Sequence, residues 1–307
     1  MPIERAHGSV RRGVLHWRCS LSRADEPAPM NEGISPHNAI STHLFDRSVA
    51  DRHLPGWARR GHPVVRRQLG IYWKVMTPDF RAAWHVYLAQ VAFILASALF
   101  PILFTLLLPI LVVPVLLLPF GIYAYAEALY RIGAAAAGSV ADDRRSQRMM
   151  LLRASPLPLR EILAAKGAAA IWRQIEVLDL LLTTAAFLSL PMILIFNTQL
   201  MQSGDHGVGS RLLLIAGLTT SLLRLALEPA MLAALGVLMG AVSLARIPAM
   251  LATGALGFAY FLLINLPRLA PLDLAARFVV EMLLPLALPL LIIVIALSLA
   301  ERLLERE

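Results

Sequence analysis

Residues 91–118 read VAFILASALFPILFTLLLPILVVPVLLL, a stretch without a single charged side chain. The apolar region around it extends over about residues 84–130. Because a bilayer core requires about 20 apolar residues per helix, this region is long enough for two membrane-spanning helices, with a tight turn near Pro109. The stretch therefore predicts a membrane protein rather than the core of a soluble domain.

The composition of the whole chain supports that interpretation. Of its 307 residues, 58% are hydrophobic and 16% are charged, and the mean hydropathy is +0.67. Such a chain has more apolar surface than one soluble core can bury. The single cysteine, Cys19, excludes an internal disulfide framework and a multi-cysteine zinc site.

The apolar runs predict an all-α fold, a polytopic membrane protein with about six transmembrane helices. Two lie within residues 84–130, and the others cover about 171–196, 225–244, 248–266 and 278–299. Six spans return both termini to the same side. Residues 211–224 are apolar but too short for a span, so they either extend the fourth helix outward or form a short external or re-entrant helix.

The net charge of +8 is distributed as the positive-inside rule expects of cytoplasmic flanks. The basic residues concentrate before residue 84 and between residues 131 and 173. This pattern predicts a cell-membrane protein with both termini in the cytoplasm. It disfavours nucleic acid as the partner of the basic residues, and membrane lipids are the expected contact instead.

The N-terminal region divides into two segments. Residues 1–62 are polar and lack apolar periodicity, which predicts a disordered cytoplasmic tail without a cleaved signal; Met30 is an alternative start site. Residues 63–80 predict an amphipathic helix at the membrane interface, although a soluble helix is the alternative. Its apolar stripe is Val65, Leu69, Tyr72 and Met76.

The loop at residues 131–170 holds a short helix between the second and third spans. Ser155-Pro156 is a helix-start signature, and Leu157-Pro158 could move the start by two residues. The apolar residues of this helix share one side, and the charged Arg160 and Glu161 lie off it; the apolar residues are Leu159, Ile162 and Leu163. The helix either rests on its own membrane domain or presents an apolar knob to a partner protein.

The segment Asp142–Lys166 resembles the corresponding loop of ABC-2 type transporter permeases. A charged segment leads into Leu151-Leu152, then a small residue and proline, then Arg-Glu-Ile-Leu and a lysine. Residues 61–69 are similar to the family's N-terminal interfacial helix, and the six-helix layout matches over about residues 61–300. The chain departs from the family where Asp-Asp-Arg-Arg replaces Glu-Arg-Glu and where Lys166 precedes Gly167 instead of following a glycine.

The resemblance implies that residues 155–166 form a coupling helix that docks on a separate ATP-binding cassette subunit. It also implies that two permease subunits, identical or different, work together. The docking residues that it implies are Ser155, Pro156, Leu157, Leu159, Arg160, Glu161, Ile162, Leu163 and Lys166.

The chain carries no motif for supplying its own energy or for catalysis. A P-loop requires a lysine directly after a glycine, and neither Lys74 nor Lys166 has one. The HExxH and GxSxG patterns are also missing from the sequence. We therefore expect a non-enzymatic chain without cofactor or metal, whose ATP is hydrolysed by a partner.

Several charged residues fall within or beside the predicted spans. Arg224 and Glu228 are spaced to pair on one helical face, and we expect this pair near the outer interface. Glu127 and Glu281 are isolated acids near helix ends. Arg224, Glu228 and Glu281 are candidate gate or substrate contacts, with a structural ion pair as the alternative for the first two.

Two other classes of protein remain open. A polytopic scaffold or accessory subunit of another membrane complex would share the helices and move no substrate. A lipid-modifying membrane enzyme is disfavoured because no catalytic set is found.

Overall fold

The computed structural model describes residues 54–70, 81–100, 102–103, 112–202, 208–269, 276 and 278–306. Within these ranges the chain is helical and has no β-strand, so the predicted all-α class is confirmed for them. The α-helices of these ranges are α1 (Pro63–Leu69), α2 (Arg81–Leu99), α3 (Val112–Arg145), α4 (Arg148–Arg153), α5 (Leu159–Trp172), α6 (Ile175–Gln202), α7 (Val208–Val242), α8 (Arg246–Asn265) and α9 (Leu284–Glu305). Gly56–Ala58 and Leu266–Leu269 are 3-10 turns, and Val279–Leu283 is a π-helical turn.

Four helices of the described residues are long and apolar enough to cross a membrane. They are Val115–Arg145, Leu214–Val242, Arg246–Asn265 and Leu284–Glu305. Ala82–Ser97 is a shorter apolar helix, and α6 is helical where the third span was predicted. A count of six spans thus stays a prediction, and the predicted turn at Pro109 lies outside the described residues.

Helix α7 is the centre of the bundle and packs against α2, α3, α5, α6, α8 and α9. It is one continuous helix from Val208 to Val242 despite Pro229 in its interior. Residues 211–224 therefore extend the fourth predicted span, which decides between the two alternatives that the sequence left open. A proline is tolerated inside such a helix because neighbouring helices and local adjustments compensate for the lost backbone hydrogen bond.

The α3 and α7 backbones touch each other through glycines. A Cβ added at Gly240 would lie 2.5 Å from the carbonyl oxygen of Ala137, and one added at Gly236 would lie closer still to that of Gly133. Only glycine permits this approach, as is usual for helix pairs in membranes. Gly236 and Gly240 of α7 meet Gly133 and Ala137 of α3 in the same order of residue number. Helices α3 and α7 therefore run parallel.

Helix α8 runs antiparallel to α3 and brings several basic side chains to one end of the bundle. A Cβ added at Gly133 would meet the side chain of Thr253, and one added at Gly138 would meet the side chain of Arg246. Arg144 donates a hydrogen bond to the carbonyl oxygen of Ala241 at the same end. We call this end, which carries Arg144, Arg145 and Arg246, the basic end.

Residues 54–69 pack on α5 near the basic end. Ala58 in the first 3-10 turn is buried, and Trp172 Nε1 donates a hydrogen bond of 2.8 Å to its carbonyl oxygen. Val65 and Leu69 of α1 are buried in the same cluster, so the described part of the predicted amphipathic helix has its apolar side on α5. Tyr72, Met76 and residues 1–53 lie outside the described residues.

Candidate functional site

The helix predicted at residues 155–166 begins later than the Ser155-Pro156 signature indicated, next to the alternative start at Leu157-Pro158, and it extends beyond Lys166. Helix α5 covers Leu159–Trp172, and Pro158 precedes its first turn. Ser155 lies before the start of the helix and does not cap it, and its hydroxyl donates a 2.6 Å hydrogen bond back to the carbonyl oxygen of Leu152. Pro158 provides the physical reason. Proline disfavours the helical conformation of the residue before it, which excludes Leu157 from the first turn.

The apolar side of α5 points into the protein. Ile162 and Leu163 are completely buried. Ile162 packs with Val65 and Leu69 of α1, and Leu163 packs in the cluster formed by α3, α7 and α9. Among the predicted docking residues, these two and Lys166 therefore hold α5 in place, and the described structure offers them no access to a partner.

The outward-facing surface of this region lies on α4 and the turn before α5. Met150 is 65% exposed and Leu151 is 75% exposed, and both Pro156 and Arg160 are also exposed. We call these four residues the elbow surface. Ser155, Leu157, Leu159 and Glu161 are half-buried beside it, and Glu161 lies 3.5 Å from Nε2 of His62.

Met150 and Leu151 were missed as candidate docking residues. The available signal was the run Arg-Met-Met-Leu-Leu-Arg at residues 148–153, in which apolar residues stand between arginines. In α4, which this run forms, Met149 is buried and Leu152 is half-buried, whereas Met150 and Leu151 between them are exposed.

Lys166 ties α5 to α3 by a buried ion pair. Its Nζ donates to a carboxylate oxygen of Asp143 and, over 3.1 Å, to the carbonyl oxygen of Ser139. The Lys166 side chain is fully buried, whereas that of Asp143 is 14% exposed. Burial lowers the pKa of Lys166, and the hydrogen bond and charge of Asp143 oppose that effect only in part.

Arg224 and Glu228 form the ion pair that their spacing predicted, and two tyrosines enclose it. Glu228 is only 3% exposed and accepts hydrogen bonds from Tyr125 of α3 at 2.6 Å and from Tyr260 of α8 at 3.0 Å. Both carboxylate oxygens thus have protein partners. Tyr260 is fourteen residues beyond Arg246, so the ion pair lies about 21 Å from the basic end. At that depth the Glu228 carboxylate connects α7 with α3 and α8.

This cluster is arranged as a structural connection. A buried carboxylate is costly unless it is paired and hydrogen-bonded, and here an arginine and two hydroxyl groups supply every required contact. Glu281, the third predicted gate residue, lies in the π-helical turn Val279–Leu283, and its side chain is outside the described part of the structure.

Among the described residues, no group of three or more histidine, cysteine, aspartate or glutamate side chains is placed to hold a metal ion. Comparisons of the chain with models of protein families, with curated proteins and with solved structures found no significant match.

Proposed function

We propose that this chain is the membrane subunit of an ABC-2 type transporter, a permease in the cell membrane with both termini in the cytoplasm. It would move a substrate across the membrane with ATP hydrolysed by a separate subunit. The observation that carries the proposal is the segment Asp142–Lys166, whose order of residues resembles the family's coupling loop. Energy from a partner is required because the chain has no lysine after a glycine.

The elbow surface supports this proposal as the point of contact with the ATP-binding subunit. Two exposed apolar side chains, Met150 and Leu151, lie on α4, which packs against α5, and Arg160 at the start of α5 is exposed as well. Such an apolar patch with a charged edge is typical of a protein interaction site. The positive-inside rule places the basic end of the bundle in the cytoplasm, where ATP is available.

The packing of α5 supplies a path from the elbow surface to the membrane helices. Helix α5 contacts α3, α7 and α9 directly, and a break of two residues, Arg173 and Gln174, separates it from α6. A force on the elbow surface would therefore act, through α5, on these three helices and on the start of a fourth. Movement of these helices is the step that the proposal assigns to ATP binding.

The test is co-purification of the full chain with an ATP-binding cassette protein encoded beside its gene. Replacing both Met150 and Leu151 by aspartate should abolish the association and its effect on ATP hydrolysis, since neither residue is buried in the chain itself. Leu303→Asp is the matched control, because Leu303 is exposed near the end of α9 and outside the elbow surface.

Loss of association in the double variant and retention in the control would support the proposal. If both variants associate and stimulate hydrolysis like the wild type, the elbow surface is not the docking site. If the wild-type chain itself does not associate, a scaffold without transport becomes the better interpretation.

A further inference from the structure

The outer side of α1 is basic, because the apolar side of this helix is used for packing on α5. Val65 and Leu69 are buried in that contact, whereas Arg66 and Arg67 between them are exposed. The described segment at residues 54–70 contains four arginines and no aspartate or glutamate. Since its apolar residues are occupied by α5, α1 can meet the membrane only through its exposed polar side.

An open cleft lies along this outer side of α1. Its volume is about 530 Å³, and the residues that line it are all exposed; they are Gly61, Pro63, Arg66, Arg67 and Gly70. We call it the arginine cleft. A Cβ added at either glycine would meet no described atom within 4 Å, so the cleft has room beside its two guanidinium groups. Arginine binds phosphate through several N–H donors in a planar fork.

The arginine cleft lies at the level where α6 begins. Arg173, which follows α5, donates a hydrogen bond to the carbonyl oxygen of Gln68 in α1. Helix α6 starts two residues later at Ile175, and its exposed residues Val177 and Leu180 are apolar. Because the sequence predicts a membrane span in this part of the chain, the cleft is at the depth of lipid headgroups.

Aromatic residues beside the arginine cleft support the same depth. Trp57 is 37% exposed, and the guanidinium of Arg60 lies 5.3 Å from the centre of the Trp172 ring. Tryptophan is enriched at the boundary between the hydrocarbon and water, where its ring is apolar and its N–H is polar. The segment at residues 54–70 thus combines arginine and tryptophan, as expected of a surface in contact with headgroups.

The charges around the arginine cleft favour an anion. Burial lowers the pKa of Lys166, and the charge of Arg67 lowers it further, so these two cations repel each other. An anion bound at Arg67 would offset that repulsion. The carboxylate of Glu161 lies 3.5 Å from Nε2 of His62, a residue that does not line the cleft.

We propose that the arginine cleft binds the phosphate of one anionic phospholipid, of the phosphatidylglycerol type, from the membrane leaflet at the basic end. Arg66 and Arg67 hold the phosphate, and the acyl chains lie along the exposed apolar residues at the start of α6. A basic surface at the membrane selects anionic over zwitterionic lipids. Because α1 packs on α5, the bound lipid holds both helices at the depth of the headgroups. This site is additional to the proposed transport function and does not depend on it.

Native mass spectrometry of the full chain in detergent tests the proposal. The chain is mixed with phosphatidylglycerol or with phosphatidylcholine, whose headgroup has a phosphate and no net charge, and we expect one phosphatidylglycerol to be retained in preference. Arg66→Gln with Arg67→Gln should reduce this retention about tenfold, since both phosphate donors are lost. Arg145→Gln with Arg148→Gln is the matched control, because it removes the same charge from exposed residues outside the cleft and should leave retention unchanged.

A second variant tests the arginine cleft without removing a side chain. Gly61→Glu has space for its new side chain, and the added carboxylate should pair with the arginines, repel the lipid phosphate and reduce retention by a similar factor. Gly56→Glu is its matched control, because a Cβ at Gly56 also meets no described atom within 4 Å and Gly56 lies outside the cleft. Circular dichroism verifies that each variant is folded.

The outcomes distinguish the proposal from its alternatives. An excess of inorganic phosphate should leave the lipid bound, and displacement by it would make the arginine cleft a site for a free anion instead. Equal retention of the two lipids, an equal loss in the Arg145 and Arg148 control, or unchanged retention in Gly61→Glu would overturn the proposal. Because no ATP-binding subunit is present, each result is independent of the elbow surface.

Discussion

Replacing Lys166 by methionine should destabilise the chain strongly, although the change removes a charge from an apolar region. The variant leaves the carboxylate of Asp143 and the carbonyl oxygen of Ser139 without their shared donor. Breaking one side of a buried ion pair costs about 3–5 kcal/mol. Asp143 retains 14% exposure, so water can replace part of the contact and we expect a loss near the lower limit, about 3 kcal/mol.

The partner substitution should be at least as costly. Asp143→Asn leaves a fully buried ammonium group whose remaining described acceptor is the carbonyl oxygen of Ser139, and we expect a loss of about 4 kcal/mol. In the double variant no charge remains unpaired. Its loss should therefore be smaller than that of either single variant, about 0–2 kcal/mol, instead of the additive sum of about 7 kcal/mol, because the two residues belong to one interaction.

The measurement is unfolding of the purified chain by sodium dodecyl sulfate in mixed micelles, followed by circular dichroism. Arg246→Met is the matched control, since Arg246 forms an exposed pair with Asp142 at a distance of 3.6 Å, beside the buried pair. Exposed pairs contribute less than about 1 kcal/mol. Additive losses in the double variant, or a Lys166→Met variant no less stable than the control, would refute the assignment of Lys166 as the link between α5 and α3.

Three further predictions concern other contacts of the bundle. Gly236→Ala should cost about 2 kcal/mol in the same unfolding assay because its methyl group meets the α3 backbone, whereas Gly217→Ala, whose nearest atom is 3.9 Å away, should be neutral or slightly stabilising. Tyr260→Phe should cost about 1–3 kcal/mol because Glu228 loses a donor; an unchanged unfolding midpoint would contradict this. Because the pKa of Lys166 is lowered in the folded chain, the unfolded chain binds more protons between that pKa and 10.5, so stability should rise with pH in this window; unfolding midpoints at a series of alkaline pH values, compared with Lys166→Met, measure the slope.

The fold was predictable where a property of a single segment determines it. Helices α7, α8 and α9 overlap the predicted spans because a long apolar run is sufficient to predict a helix that could cross a membrane. The extent of α7 was less certain, since the charges of Arg224 and Glu228 suggested a membrane boundary. In the structure these charges are neutralised by each other and by contacts from other helices, so the helix continues past them.

The candidate site was predictable in position but not in orientation. The spacing of Leu159, Ile162 and Leu163 established an apolar side on α5, and nothing in that spacing says which protein covers it. Val65 and Leu69, almost a hundred residues earlier in the chain, are what Ile162 contacts. Likewise, Tyr125 and Tyr260 carry no local signal of their bonds to Glu228, because they are 103 and 32 residues away from it.

The glycine contacts between α3 and α7 restrict the ways in which the bundle can change shape. Side chains can slide past one another by changing rotamers, but two touching backbones have no such freedom. Helix α5 is joined to the same pair through Lys166 and through Gly167, which lies against Ala233. We therefore expect helices α3, α5 and α7 to move as one unit, with any hinge or shear movement where α2, α6, α8 or α9 meets it.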